Sequence, residues 1–123
     1  MIRRYEFSLT TDSSGAGTVT AKQPINGLVE EVRNDGTAFA STAIYSITRG
    51  DGGGTVFRAG TLTAPWQYAP RQPVHTNAGV AVTYDGTRAV NDKIPVDGYL
   101  TMTVTQGGSV NLGTVSVYVS GGY

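Results

Sequence analysis

The sequence predicts an all-β fold, a single-domain antiparallel β-sandwich of jelly-roll-like form covering residues 1–123. Three observations lead there. Short runs of Val, Thr, Ile, Tyr and Ala recur along the whole chain, separated by turns rich in Gly, Asn and Asp. Several of those runs alternate apolar and polar residues with a period of two, as a strand with one buried face requires. No segment carries a helical pattern long enough for the crossover of a βαβ unit. About eight short strands with turn signals every ~10 residues suit two packed sheets.

Residues 2–11 alternate from the start: Tyr5, Phe7 and Leu9 point one way, Glu6, Ser8 and Thr10 the other. Asp12-Ser13-Ser14-Gly15-Ala16-Gly17 is turn chemistry. Residues 18–23 read as a second strand that Pro24 ends, because proline cannot donate to a ladder. Residues 27–34 place Leu28, Val29 and Val32 at helical spacing. The run is short and lies between Gly27 and Asn34-Asp35-Gly36, so it reads as strand.

Residues 38–48 and 55–64 form a hairpin around the Gly-rich tip Arg49-Gly50-Asp51-Gly52-Gly53-Gly54. Residues 65–79 form a long loop holding Pro65, Pro70 and Pro73. A short strand at 80–84 stops at Asp85-Gly86, and 89–95 reads as irregular. The last hairpin is the clearest: Leu100, Met102 and Val104 face in on one strand, Val115, Val117 and Val119 on the other.

Composition narrows the function classes. There are 17 Gly in 123 residues, one His, one Trp and no Cys. Disulfide and thiolate chemistry are therefore absent, which suits a reducing cytoplasm. Nine Lys plus Arg balance nine Asp plus Glu. No basic excess recruits nucleic acid or anionic lipid. The start Met1-Ile2-Arg3-Arg4 is positive, but no apolar signal core follows it. No run approaches the ~20 apolar residues of a membrane span, so neither nucleic acid nor membrane is expected as a partner. Charged residues make up 15% of the chain, against a usual ~25%. Low charge with many Thr and Ser points to a surface that meets other protein.

Candidate chemistry is sparse. His75 is the lone imidazole, so no His cluster binds metal, and no Gly-x-Ser-x-Gly elbow accompanies it. Glu30 and Glu31 are adjacent, so on a regular strand they point to opposite faces. Asp51 among glycines reads as a turn, and Arg49-Gly50-Asp51 matches an adhesion tripeptide that turn composition readily produces. Trp66 and Tyr68 share a face in extended chain. Exposed, they stack on a sugar or anchor a partner; buried, they cap an open end of the sandwich, the alternative that aromatic burial favours for Trp66. No catalytic residue, cofactor or metal is expected.

The residues also resemble a known family. Tyr68-Ala69-Pro70-Arg71-Gln72-Pro73-Val74-His75, then Thr83-Tyr84-Asp85-Gly86-Thr87 and the hairpin Val104-Thr105-Gln106-Gly107-Gly108, look like small β-rich virion proteins of tailed bacteriophages. Ile25-Asn26-Gly27-Leu28-Val29-Glu30-Glu31-Val32 fits the same pattern, while Pro73 departs from it. The resemblance implies a virion component, assembled in the host cytoplasm. The expected role is capsid decoration, a cement protein that clamps major capsid subunits, with a head–tail connector or tail component as the alternative. A carbohydrate-binding module and a small hydrolase are more remote. A homotrimer over a local three-fold is the expected assembly. Partner contacts are expected from Arg3, Arg4, Tyr5 and Phe7 on an N-terminal interaction strand within residues 1–11, and from Trp66, Tyr68 and Arg71.

Overall fold

A computed structural model describes residues 2–34, 39, 42–50, 54–60, 62 and 65–121. Among them are ten strands and no helix. In chain order these are β1 (Ile2–Thr10), β2 (Gly17–Thr20), β3 (Ile25–Asn34), β4 (Ile44–Arg49), β5 (Gly54–Gly60), β6 (Trp66–Tyr68), β7 (Arg71–Pro73), β8 (Asn91–Gly98), β9 (Leu100–Thr105) and β10 (Leu112–Ser120). One sheet runs β1-β10-β3-β8-β7, with β6 also on β3, and the other runs β2-β9-β4-β5.

The order has a simple origin. The chain pairs as one long antiparallel hairpin: β1 with β10, β2 with β9, β3 with β8, and β4 with β5. Wrapping that hairpin then brings β10 beside β3 and β9 beside β4. Eight strands in this order form a jelly roll. The short β6 and β7 lie in an insertion between β5 and β8. Alternation along each strand sends one set of side chains between the sheets. Phe7, Ile25, Val29, Val32, Val115, Val117 and Val119 from the first sheet meet Tyr45, Ile47, Leu100, Met102 and Val104 from the second, all buried.

Two bulges explain places where period-two reading falters. On β3, Val29 faces Val119 and Glu31 faces Tyr118, leaving Glu30 as the extra residue. Val29 and Val32 therefore both point inward, which produces the helix-like spacing in a strand. The bulge also corrects the expected splay of the two carboxylates: both lie off the inner face, Glu31 paired with Arg33 and Glu30 with Lys93. On β5, Ile47 of β4 faces Phe57 and Thr48 faces Thr55, so Val56 is extra and is buried together with Phe57.

The stretch read as irregular, 89–95, instead enters a strand. Pro95 sits in β8 opposite Leu28 of β3, and β7 covers only residues 91–93 on the other side. Pro95 thus stands where no neighbouring strand asks for its missing N–H. The long loop 65–79 also contains structure. β6 extends the β8 side of β3 by pairing with residues 32–34, and β7 pairs with β8. The expected strand at 80–84 reduces to isolated bridges at Ala81 and Thr83. Residues 51–53, with Asp51, and parts of the expected runs 38–48 and 55–64 lie outside the described residues.

At one end of the sandwich two turns are knotted together. Thr11, buried, donates its hydroxyl to the Gly108 carbonyl at 2.7 Å and accepts from the Asn111 amide at 2.8 Å. The Gly107 amide donates to the Gly15 carbonyl at 2.8 Å. Gly15 has φ +85°, and a Cβ there would stand 3.0 Å from the Gly107 and Gly108 nitrogens, so close approach requires glycine.

Candidate functional site

No side-chain constellation in the described residues assembles around His75. The imidazole is exposed in the insertion and makes no side-chain hydrogen bond among the described residues, so no triad geometry forms there. Arg49 donates to the Pro95 carbonyl at 3.0 Å and the Gly50 amide to the Tyr99 carbonyl at 2.7 Å. Arg49 and Gly50 are thus both tied to β8 and the β8–β9 connection.

The residues expected to contact a partner divide in two. Phe7 and Trp66 are core residues, 2% and 8% exposed. Their rings are spent on the interior, which corrects the expectation that they reach a partner. Trp66 stacks on Phe57 with centroids 5.6 Å apart and meets Tyr45 edge-on at 5.1 Å. Burial pushes the Tyr45 phenol up, with the Trp66 indole opposing the shift, although the buried indole N–H makes no well-formed hydrogen bond. Tyr68 is 45% exposed at the margin of the same cluster. Arg71 donates to the carbonyls of Pro70, Glu30 and Val29 at 2.8, 3.3 and 3.4 Å. It ties the insertion to β3.

Arg3 and Arg4 are exposed on an edge strand, and Tyr5 beside them is half-buried against the core. β1 is no free arm: it pairs with β10 from Ile2 opposite Ser120 to Thr10 opposite Leu112. Its other edge faces a cleft of about 430 Å³ between the rims of the two sheets, lined by residues 4–8 and 19–23. Tyr5, Val19 and Ala21, only partly buried, form the apolar part of that lining together with the buried Phe7.

The two outer faces differ in chemistry. Outside the first sheet, charges are matched: Arg4 with Glu6, Arg33 with Glu31, and the Arg33 guanidinium 4.7 Å from the Tyr118 ring centre. Lys93 and Ser120 both bond the Glu30 carboxylate and hold it below its ordinary value. Outside the second sheet, hydroxyls dominate. Thr20, Thr101, Thr48 and Thr55 stand opposite one another across all four strands, and Thr18, Thr103, Ser46 and Arg58 form the next row. Facing pairs touch through their hydroxyls at 3.3 and 3.4 Å. Burying such a face under another protein removes few charges from water, the costly part of desolvation. These rows span strands far apart in sequence, so only the Thr-x-Thr spacing of 18–20 and 101–105 hinted at them.

The insertion projects as a third surface. Residues 74–90 make three passes linked by Val74–Val90, Val82–Val74 and Val90–Val82 backbone bonds of 2.8–3.0 Å, and almost every residue is exposed. Asp85 closes its tip: its carboxylate accepts from the Arg88 amide at 2.6 Å and the Thr87 amide at 3.0 Å, and from the Arg88 guanidinium. Those donors, the Arg88 backbone amide foremost, hold the carboxyl down at about 2. A depressed folded value stabilises the turn above the unfolded pKa of ~3.9 and is lost as pH falls through about 2. An NMR titration of Asp85 is expected to reach its midpoint near 2, with the Thr87 and Arg88 amides moving in step. An ordinary Asp midpoint would mean that the turn is open in solution.

No protein-family model, no curated protein and no solved structure matches this chain.

Proposed function

We propose that this protein is a structural component of a tailed-bacteriophage virion, working as a decoration protein that binds major capsid subunits and steadies the head. The observation that carries this reading is the jelly-roll strand order, an architecture recurrent among viral capsid domains. Residues 25–32, 68–79 and 83–87, which resemble the small tailed-phage virion proteins, support the same reading. The hydroxyl-lined face and the projecting insertion supply contact surface of low charge. The work done is binding: many copies, each with a modest contact, together oppose the pressure of packaged DNA. A sugar platform is less well supported, because the flat face of Trp66 is stacked on Phe57 and leaves Tyr68 as a single half-exposed ring.

The test mixes the protein with purified empty heads and, separately, with purified tails of the phage that encodes it. Saturable co-sedimentation with heads, and heads that resist heating to a higher temperature, are expected. Binding confined to tails assigns the protein to a connector or tail component. Binding to neither rejects a virion role.

A further inference from the structure

On its outer face the open edge of β1 carries one cation and one anion, Arg4 and Glu6, placed symmetrically about Tyr5. Written antiparallel against a second β1, with Tyr5 on the two-fold axis, Arg4 meets Glu6 and Glu6 meets Arg4 on the outer face, while Ile2 meets Ser8 and Arg3 meets Phe7 without a clash of like charges. Centring the pairing on Arg4 or on Glu6 instead sets like charges against each other, which is destabilising between directly opposed residues. We propose that two copies of this chain join edge to edge through β1 in the Tyr5-centred register, as an isologous dimer whose first sheets run on into one another.

Three features of the edge support this. Nine consecutive strand residues present one side to β10 and no strand to the other among the described residues. A long edge left bare invites another strand, because its backbone N–H and C=O groups lack ladder partners. Arg4 and Glu6 already pair along the strand, yet their side chains remain 48% and 49% exposed, so each has room for the opposite charge of the second copy. The cleft beside the edge leaves Tyr5, Val19 and Ala21 partly uncovered. A two-fold through Tyr5 brings both clefts to the axis, where each subunit covers the other. An open edge alone would accept many strands; the self-complementary charges select a second copy. This two-fold takes the place of the three-fold arrangement that capsid geometry suggests, and it does not rest on the virion reading.

Sedimentation equilibrium over a concentration series tests the proposal. Wild type is expected to be a monomer–dimer system. Arg4→Glu and Glu6→Arg, each folded by circular dichroism, should dimerise about tenfold more weakly or worse. An equimolar mixture of the two variants should regain association as a heterodimer, since every cross-subunit pair is then opposite in sign. Within each single variant positions 4 and 6 carry like charges, so repair of the intrachain pair cannot produce that rescue. If a reversal unfolds the chain, Arg4→Gln and Glu6→Gln probe the same contacts by removing charge. A monomer at millimolar concentration, a trimer, or a dimer indifferent to these charges would overturn the proposal.

Discussion

Val117→Asp is expected to lower stability by about 3–5 kcal/mol, a large part of the 5–15 kcal/mol available to a domain of this kind. Val117 lies in the middle of β10, between Tyr5 on β1 and Val32 on β3, and is 0% exposed. A carboxylate there loses its water and gains no cation, so the chain must neutralise it or open. Urea unfolding measures the loss. Val117→Thr, of the same shape but uncharged, should lose clearly less. A change under ~0.5 kcal/mol for the Asp variant would place this side chain on the outer face instead.

Gly113→Ala is expected to destabilise by about 1–3 kcal/mol, a large effect for one methyl group. Gly113 stands in β10 opposite Leu9. A Cβ at this position would fall 2.4 Å from Phe39 Cε2 and 2.6 Å from Cζ, well inside the ~3.5–4.0 Å of carbon contact. The ring has little freedom to retreat, because Phe39 meets Tyr45 edge-on at 5.8 Å and Tyr45 in turn meets Trp66. The clash predicts non-additivity. In a Phe39→Leu background the same alanine should cost at least ~0.5 kcal/mol less. Strict additivity would show that the new methyl meets something other than this ring.

How much of this was legible in the sequence depended on how local the cause was. β9 and β10 were readable because simple alternation decides which side chains face in: Leu100, Met102, Val104, Val115, Val117 and Val119 are all buried as expected. The two-sheet, jelly-roll-like architecture was legible from strand number and turn spacing. The bulge at Glu30 was not, since it depends on pairing with β10 and mimics helical spacing when read alone. Pro95 hid β8 because whether a proline suits a strand turns on which side lacks a neighbour. On the first strand the alternation correctly set Tyr5, Phe7 and Leu9 toward the interior and Glu6, Ser8 and Thr10 toward solvent. The apolar content of Phe7 and Trp66 does not distinguish a partner's pocket from the protein's own interior. The threonine rows needed the register of four strands, and two of the three pairings between them join segments distant in sequence.

The long-hairpin pairing also has a consequence for biosynthesis. β10 is the last strand to be made, and it joins the first strand to the third. Until residues 91–120 emerge, β1 and β2 have no native strand neighbours in either sheet, β3 has only the three-residue β6, and β4 and β5 form the one long hairpin that can zip locally. Native contacts are thus mostly distant along the chain, a topology whose folding falls in the millisecond-to-second range. During that wait the nascent chain holds several Val- and Thr-rich segments with nothing to pair against, a state prone to aggregation. The yield of folded protein is set by how the ribosome and chaperones manage this interval as well as by the stability of the finished sandwich.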